Sequence, residues 1–360
     1  MGKVSNPAAL ATGSEVLEPV QVQRWKAGHL TAVDDIVAVE TPVSLVYNGI
    51  SHAVMLASPA DLADFALGFS LTEGILQDAT ELYECEIVEQ EQGMQVDMRI
   101  AAERFMLLKD KRRNLTGRTG CGLCGAESLE HAIRHPAPVN HQHSMHASLL
   151  FAGMHAMQQL QPLQQRSGAT HAAAWMQADG MISCVREDVG RHNALDKLIG
   201  ALIKVKTDFS QGAVLITSRA SYEMVQKAAS MNIGIIAALS APTSLAIQLA
   251  EQANVTLAGF VKSDSHVIYA HHERILVNEK INWNQTMDAN NLIHLANKIG
   301  TFFESMPDQK QALEDIAGHI KRFWAPPMRK AIIASIDNKQ DTEMLAIVRE
   351  ALVTHRAKIL

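Results

Sequence analysis

The chain has 360 residues, of which 47% are hydrophobic and 19% charged, with a formal net charge of −6 and four cysteines. At roughly 100–200 residues per domain, this length predicts a globular chain of more than one domain and excludes a disordered tail or a disulfide-stapled miniprotein. The mild acidity argues against a general nucleic-acid binder, which needs a strongly basic domain.

The first 20 residues lack apolar periodicity and read as a loose tail. They contain no apolar core of the kind a signal peptide carries, and Asn6 stands where a myristoylation motif has Ser or Thr, so a cytoplasmic location is expected. Ile36–Val46 and Ser51–Leu56 read as strands about the reversal at Asn48-Gly49, a pair that tolerates positive φ. Ser58 is placed as an N-cap with Pro59 at the first helical position, and Leu62, Phe65, Ala66 and Phe69 form one apolar helix face that Gly74 terminates. Cys85–Ile100 reads as a hairpin turning near Gln92-Gly93. From Arg104 to Gly125 the chain is basic and then glycine-rich, which predicts a loop running into a helix near Glu127.

The middle of the chain alternates short apolar runs with helical spacing. Ala213–Thr217, Ile233–Leu239 and Val255–Phe260 are strand-like, while Ser218–Ser230 and Ser244–Gln252 are helical. The pattern predicts βαβ units, a sheet covered on both faces, and a ligand-binding edge near Ser218-Arg219 and Ser240-Ala241-Pro242. The uncharged run Met231–Ala250 is interrupted by Asn232, Ser240, Pro242 and Gln248, so it reads as strand, turn and helix rather than a membrane span. Asn282–Asn291 reads as a linker, and Leu292–Phe303, Gln309–Phe323 and Asp341–Ala357 as helices broken at Met306-Pro307-Asp308 and Pro326-Pro327.

Two segments carry chemistry. Cys121-Gly122-Leu123-Cys124 is a C-x-x-C pair that suits a metal, a disulfide or a reactive thiol with a neighbour. His131 and His135 are the nearest further ligands, at a spacing shorter than that of a zinc finger. The upstream cations Lys109, Lys111, Arg112, Arg113 and Arg118 favour a thiolate, unless they merely line a solvated turn. A thiolate on a glycine-rich loop can carry sulfur as a persulfide or exchange disulfides. Zinc deamination is excluded: Gly120 replaces the signature proline, and the H-x-E triplet His271-His272-Glu273 lies downstream of the cysteines. The second segment is a strand-to-helix corner where Arg186, Glu187, Asp188, Arg191, His192 and Asn193 crowd the start of a helix. It suits an anionic ligand or acid–base work, with capping and ion pairing as the alternative. Cys184 and Cys85 read as structural, and the histidines from His131 to His155 as surface residues.

Arg118–Gly125 (RTGCGLCG), Glu187–Lys197 (EDVGRHNALDK), Ser218–Lys227 (SRASYEMVQK) and Ser240–Ala246 (SAPTSLA), with Leu67-Gly68-Phe69 and Leu71–Gly74 before them, resemble the formate dehydrogenase accessory sulfurtransferase family of the FdhD/NarQ type. The resemblance runs from about Val20 to Arg274. It implies an α/β fold, a cytidine deaminase-like three-layer sheet domain with an N-terminal β-rich part, spanning residues 21–281. It also implies a sulfurtransferase that takes sulfur from a cysteine desulfurase and passes it to the molybdenum cofactor, bis(molybdopterin guanine dinucleotide), before insertion into formate dehydrogenase. Cys121 matches the persulfide cysteine and Cys124 its partner, and the cofactor segment maps to Phe260, Val261, Lys262, Ser263, Asp264 and Ser265. Here the chain departs from its family, carrying Lys262-Ser263 where an arginine-glycine pair is common; lysine keeps the charge but loses bidentate phosphate contact.

Residues 291–360 form a small all-helical module, in which Leu295–Ile299 and His319–Arg329 (HIKRFWAPPMR) resemble the delta subunit of NAD-dependent formate dehydrogenase. Such a fusion is expected to tether the carrier to its client, with a helical cap or a dimerisation element as the alternative. No permanently bound metal, nucleic acid or membrane is expected, and a homodimer is left open. The competing readings are a cofactor chaperone that docks on formate dehydrogenase and a zinc-stabilised adaptor.

Overall fold

The computed structural model describes residues 16–116, 136–141, 143–262, 265–277, 289–303, 308–324 and 326–360. The chain divides into two compact units, Met1–Leu276 and Val277–Leu360.

The first unit begins with an antiparallel ribbon of β1 (Leu17–Lys26) and β2 (His29–Ala38). Leu17–Val20, expected as the end of a loose tail, are therefore strand, paired with Asp35–Ala38. β3 (Thr41–Tyr47), β4 (Ile50–Ala57), β5 (Leu82–Gln90) and β6 (Gly93–Ile100) form a second sheet in the order β4-β3-β6-β5. The predicted reversal sits between β3 and β4, with φ of 45° at Asn48 and 81° at Gly49. The expected strand Ile36–Val46 splits between β2 and β3, because Ile36 belongs to the ribbon.

Helix α1 (Leu62–Thr72) covers this sheet, its Leu62, Phe65 and Phe69 packing with Val43, Leu45, Val96 and Met98. It starts after Asp61, which has φ of 55° and makes no side-chain cap. The expected Ser58 cap is not used because tertiary bonds take that residue: its Oγ accepts from Val189 N at 3.1 Å and its carbonyl from Lys197 Nζ at 2.9 Å. A second correction follows at α2 (Ala102–Thr116), which occupies most of the segment read as a loop from Arg104. Ala102–Lys111 is rich in strong helix formers, and the glycine-rich texture begins only at Gly117.

The chain continues through β7 (Met145–His146), α3 (Ala147–Gln159), α4 (Pro162–Ser167), β8 (His171–Gln177), β9 (Ile182–Asp188), α5 (Arg191–Lys204), β10 (Gly212–Ile216), α6 (Tyr222–Ser230), β11 (Ile235–Ala238), α7 (Ser244–Gln252), β12 (Thr256–Gly259), β13 (Val267–Ala270) and β14 (Ile275–Leu276). Six of these strands form one sheet in the order β13-β12-β11-β10-β8-β9. β10, β11 and β12 are parallel, and β8, β9 and β13 join antiparallel.

The predicted alternation is present, and both faces are covered. Leu195, Leu198, Met224 and Leu249 of α5, α6 and α7 pack on Trp175, Val214 and Ile236. Leu150, Met154 and Met157 of α3 pack on Ala174, Leu215 and Ala237 of the other face. Behind the first helix layer, α1 crosses α5 in backbone contact. A Cβ at Gly68 would meet the carbonyl of Asp196, and one at Gly200 that of Asp64.

The second unit contains α8 (Ala289–Phe303), α9 (Gln309–Phe323), α10 (Pro326–Asp337), α11 (Ala346–Thr354) and α12 (Arg356–Ile359) around Leu292, Ile316, Ile320, Trp324, Ile332, Val348, Leu352 and Ile359. Pro326-Pro327, read as a break, opens a helix, since proline is tolerated in a first turn where its missing N–H has no intrahelical partner. The helix expected over Asp341–Ala357 starts only at Ala346. Among the described residues no helix is long and apolar enough to cross a membrane.

Candidate functional site

The C-terminal ends of β10, β11 and β12 meet at one edge of the six-stranded sheet, tied by Val261 N to Ala238 O (3.1 Å), Phe260 N to Ser240 O (3.2 Å) and Thr243 N to Ala220 O (3.0 Å). β8, antiparallel to β10, begins at the same edge, and β9, antiparallel to β8, ends there. A cavity of about 560 Å³ opens there. It is lined by Gln158 of α3, Gln161 between α3 and α4, Gln164 of α4, Thr170 and His171 at the start of β8, and Thr217 and Leu239 at the ends of β10 and β11. The predicted edge is thus occupied by a polar cavity, the usual position for a ligand in such a sheet.

Of the expected cofactor segment, Val261 is buried, Phe260 is 41% exposed with φ of 51°, and Lys262 N donates to Ser265 O at 2.9 Å. Phe260, Val261 and Lys262 thus follow β12 directly, with Val261 and Phe260 bonded to Ala238 and Ser240 on either side of Leu239 of the cavity. Ser263 and Asp264 lie outside the described residues, as do Cys121, Cys124, His131 and His135.

The strand-to-helix corner divides its residues between two tasks. Arg186 donates to Asp64 Oδ2 at 2.8 Å and 3.0 Å, Asn193 Nδ2 to Asp188 Oδ1 at 3.0 Å, and Lys197 Nζ lies 2.6 Å from Asp188 Oδ2. Glu187 accepts from Leu163 N (2.9 Å), Gln164 N (2.8 Å) and Thr170 Oγ1 (3.0 Å). For Arg186, Glu187, Asp188 and Asn193 the capping and ion-pairing alternative therefore describes the arrangement: they organise the corner from inside. His192 differs, its Nε2 lying 2.6 Å from Glu223 Oε2 and 3.5 Å from Ser221 Oγ. The hydrogen bond from His192, more than any other contact, holds the Glu223 carboxyl below its usual range. Burial, reinforced by the Arg191 cation and opposed by the Asp188 carboxylate, lowers the pKa of His171.

A second buried network lies deeper. Lys227 Nζ reaches Asp196 Oδ2 at 3.0 Å, Glu73 Oε1 at 2.8 Å and Thr72 Oγ1 at 3.0 Å, bridging α1, α5 and α6. Burial opposes its charge, but the two carboxylates outweigh that and raise its pKa. Cys85 and Cys184 are free and partly buried, and burial pushes both thiols up, away from the thiolate. Among the described residues no group of three His, Cys, Asp or Glu side chains could hold a metal ion.

The glutamine wall from α3 and α4 was not among the expected site residues. Gln158, Gln161 and Gln164 recur at every third residue, but that spacing runs across the break between α3 and α4, and only the cavity brings them beside Thr217 and Leu239.

Comparison with known proteins places these features. Residues 291–352 match the profile of the NADH-dependent formate dehydrogenase delta subunit FdsD. A relative from Cupriavidus necator, named sulfur carrier protein FdhD, is 61% identical over 254 residues, covering 71% of this chain and 88% of the relative. A protein of the same name from Bordetella petrii is 50% identical over 275 residues, covering 76% of this chain and 99% of its own. The crystal structure of a chain provisionally designated a formate dehydrogenase accessory protein, from Desulfotalea psychrophila, shares the fold. Its TM-score is 0.57 at 22% identity, covering 73% of this chain and 100% of that one. Residues 38–276, which include every strand of both larger sheets and the cavity, match the FdhD/NarQ profile, and the chain belongs to the FdhD/NarQ family.

Proposed function

We propose that the chain is a sulfur carrier for the maturation of formate dehydrogenase. The observation that carries this reading is the 61% identity to a sulfur carrier protein, over a length that takes in most of the family match. In this reading Cys121 is the carrier. Its thiolate attacks the outer sulfur of a cysteine desulfurase persulfide, the desulfurase thiolate leaves, and Cys121 holds the sulfur as a persulfide. Release as hydrosulfide needs two electrons, which Cys124 supplies by attacking the Cys121 sulfur and closing a disulfide.

The acceptor is the molybdenum cofactor, bis(molybdopterin guanine dinucleotide), bound as substrate at the sheet edge by the cavity and by Phe260, Val261, Lys262, Ser263, Asp264 and Ser265. Support comes from the cavity's size and polarity and from the cation of Lys262 following β12 directly. The cytidine deaminase-like character of the sheet domain, and its work in the cytoplasm, belong to the same reading. The helical unit tethers the carrier to the dehydrogenase, a role supported by its FdsD match.

Mass spectrometry after incubation with a cysteine desulfurase and cysteine tests the carrier step. One added sulfur on Cys121, lost in Cys121→Ala, is expected; its absence from the wild type sinks the proposal. Truncation after Asn282 is expected to leave that loading intact while weakening activation of the dehydrogenase, and unchanged activation would refute the tether.

A further inference from the structure

Lys321 of α9 and Arg329 of α10 converge on one oxygen in the helical unit. Lys321 Nζ donates to the carbonyl of Ile359 in α12 at 3.3 Å, and Arg329 Nη1 donates to it at 2.8 Å. Ile359 is wholly buried in the core with Ile316, Ile320 and Leu352, and the chain leaves that core at the next residue, Leu360 being half exposed. Carbonyls at a helix end attract cations, but two charges from two other helices are more than one neutral oxygen uses. Arg329 Nε is buried and has no hydrogen-bond partner among the described residues, so the guanidinium engages through Nη1 and leaves a second donor unpaired.

A polypeptide ending at an aliphatic residue in the place of Ile359 would put a carboxylate carbon where this carbonyl carbon stands. One oxygen would keep the two bonds present, and the other, where Leu360 N now is, would add an acceptor and a full charge for the same cations. Both cations lie within residues 291–352, which match the delta-subunit profile, whereas α12 lies beyond them. α12 is tied down further by Arg356, whose Nη1 and Nη2 each lie 2.7 Å from a carboxylate oxygen of Asp337, with both side chains about half exposed. A pair this exposed to water holds a segment only weakly.

We infer that Lys321 and Arg329 form a recognition site for the terminal carboxylate of a partner chain ending in an aliphatic residue, and that α12 is a displaceable occupant of that site. The partner's identity rests on the tether reading above: it is a chain end of formate dehydrogenase. While α12 is seated, the affinity seen from outside is reduced by the fraction of molecules in which the site is open.

Fluorescence polarisation of the full chain with a labelled peptide of the sequence Leu352–Ile359, ending as the free acid or as the amide, tests the site. The acid is expected to bind at least about tenfold tighter than the amide, the scale of hydrogen bonds to a charged group. Arg356→Glu sets a carboxylate against Asp337 and loosens α12, so the acid is expected to bind this variant about threefold tighter than wild type. Arg329→Gln is expected to erase the preference for the acid, and Lys321→Gln, on the exposed side, reads the same loss should Arg329→Gln fail to fold.

Equal binding of acid and amide, or binding of neither, overturns the inference. So does an equal affinity of wild type and Arg356→Glu for the acid, since a segment that only completes the core does not compete. Peptide binding as expected, together with unchanged dehydrogenase activation after truncation at Asn282, refutes the tether and leaves the site standing.

Discussion

Lys197 and Asp188 face each other at 2.6 Å with both side chains wholly buried, joining the end of β9 to α5. Each is otherwise satisfied: Lys197 donates to Ser58 O at 2.9 Å, and Asp188 accepts from Ser58 N (3.0 Å), Gly190 N (2.7 Å) and Asn193 Nδ2 (3.0 Å). The pair closes the corner that carries Arg191 and His192 to the sheet edge. Removing one partner strands a buried charge, which costs far more than the intact pair contributes. Lys197→Met is therefore expected to destabilise the first unit by about 3–5 kcal/mol in urea unfolding. A loss below about 1 kcal/mol, the scale of a surface pair, would show that water reaches Asp188.

The crossing of α1 and α5 gives a second expectation. Gly68 and Gly200 each approach a backbone carbonyl of the opposite helix, so an added methyl group can be accommodated only by moving a helix. Gly68→Ala and Gly200→Ala, which raise helix propensity by about 1 kcal/mol, are nevertheless expected to destabilise by up to about 3 kcal/mol through overpacking. Gly318→Ala in α9, where an added Cβ meets nothing within 4 Å, is the control and is expected to be neutral or stabilising. Equal behaviour of the three variants would remove the close crossing as an explanation for these glycines.

Acid should weaken the first unit before its carboxylates protonate. Burial lowers the pKa of His143, His171 and His266, assisted at His143 by His141 and at His171 by Arg191. The unfolded chain therefore binds more protons than the folded one in this range. The stability these groups confer is present above the unfolded value of 6.5 and is lost as pH falls through their folded values. Melting temperatures are expected to drop between about pH 7.5 and 5.5, with a smaller drop in His171→Gln. A melting temperature that rises over that interval contradicts the assignment.

The sequence made the α/β core legible where local and tertiary signals agree. Ser244–Gln252 is helical over the expected range because Thr243 caps it by accepting from Ala246 N at 3.3 Å. Asn48-Gly49 turns because the β3–β4 hairpin requires positive φ. Ser58 misled because Val189 and Lys197, far along the chain, claim its hydroxyl and carbonyl. The ribbon of β1 and β2 escaped notice since its burial alternates only weakly on either face, leaving little apolar period to read. At the site, the sheet edge was foreseen from strand order. The glutamine wall and the partners of Glu187 were not, since contacts between residues 163–170 and 187 depend on a fold that no local pattern encodes.

Neighbouring carboxylates on β9 serve opposite sides of one sheet: Glu187 holds α4 and the cavity wall, while Asp188 holds Ser58 and α5. Because strand side chains alternate, a shift of β9 by a single residue would send each carboxylate into the other's surroundings. Neither layer offers the other's donors, so both would lose their anchors in the same event. The dipeptide therefore works as a two-sided registration pin, making the cavity wall and the layer of α5 cooperative in folding.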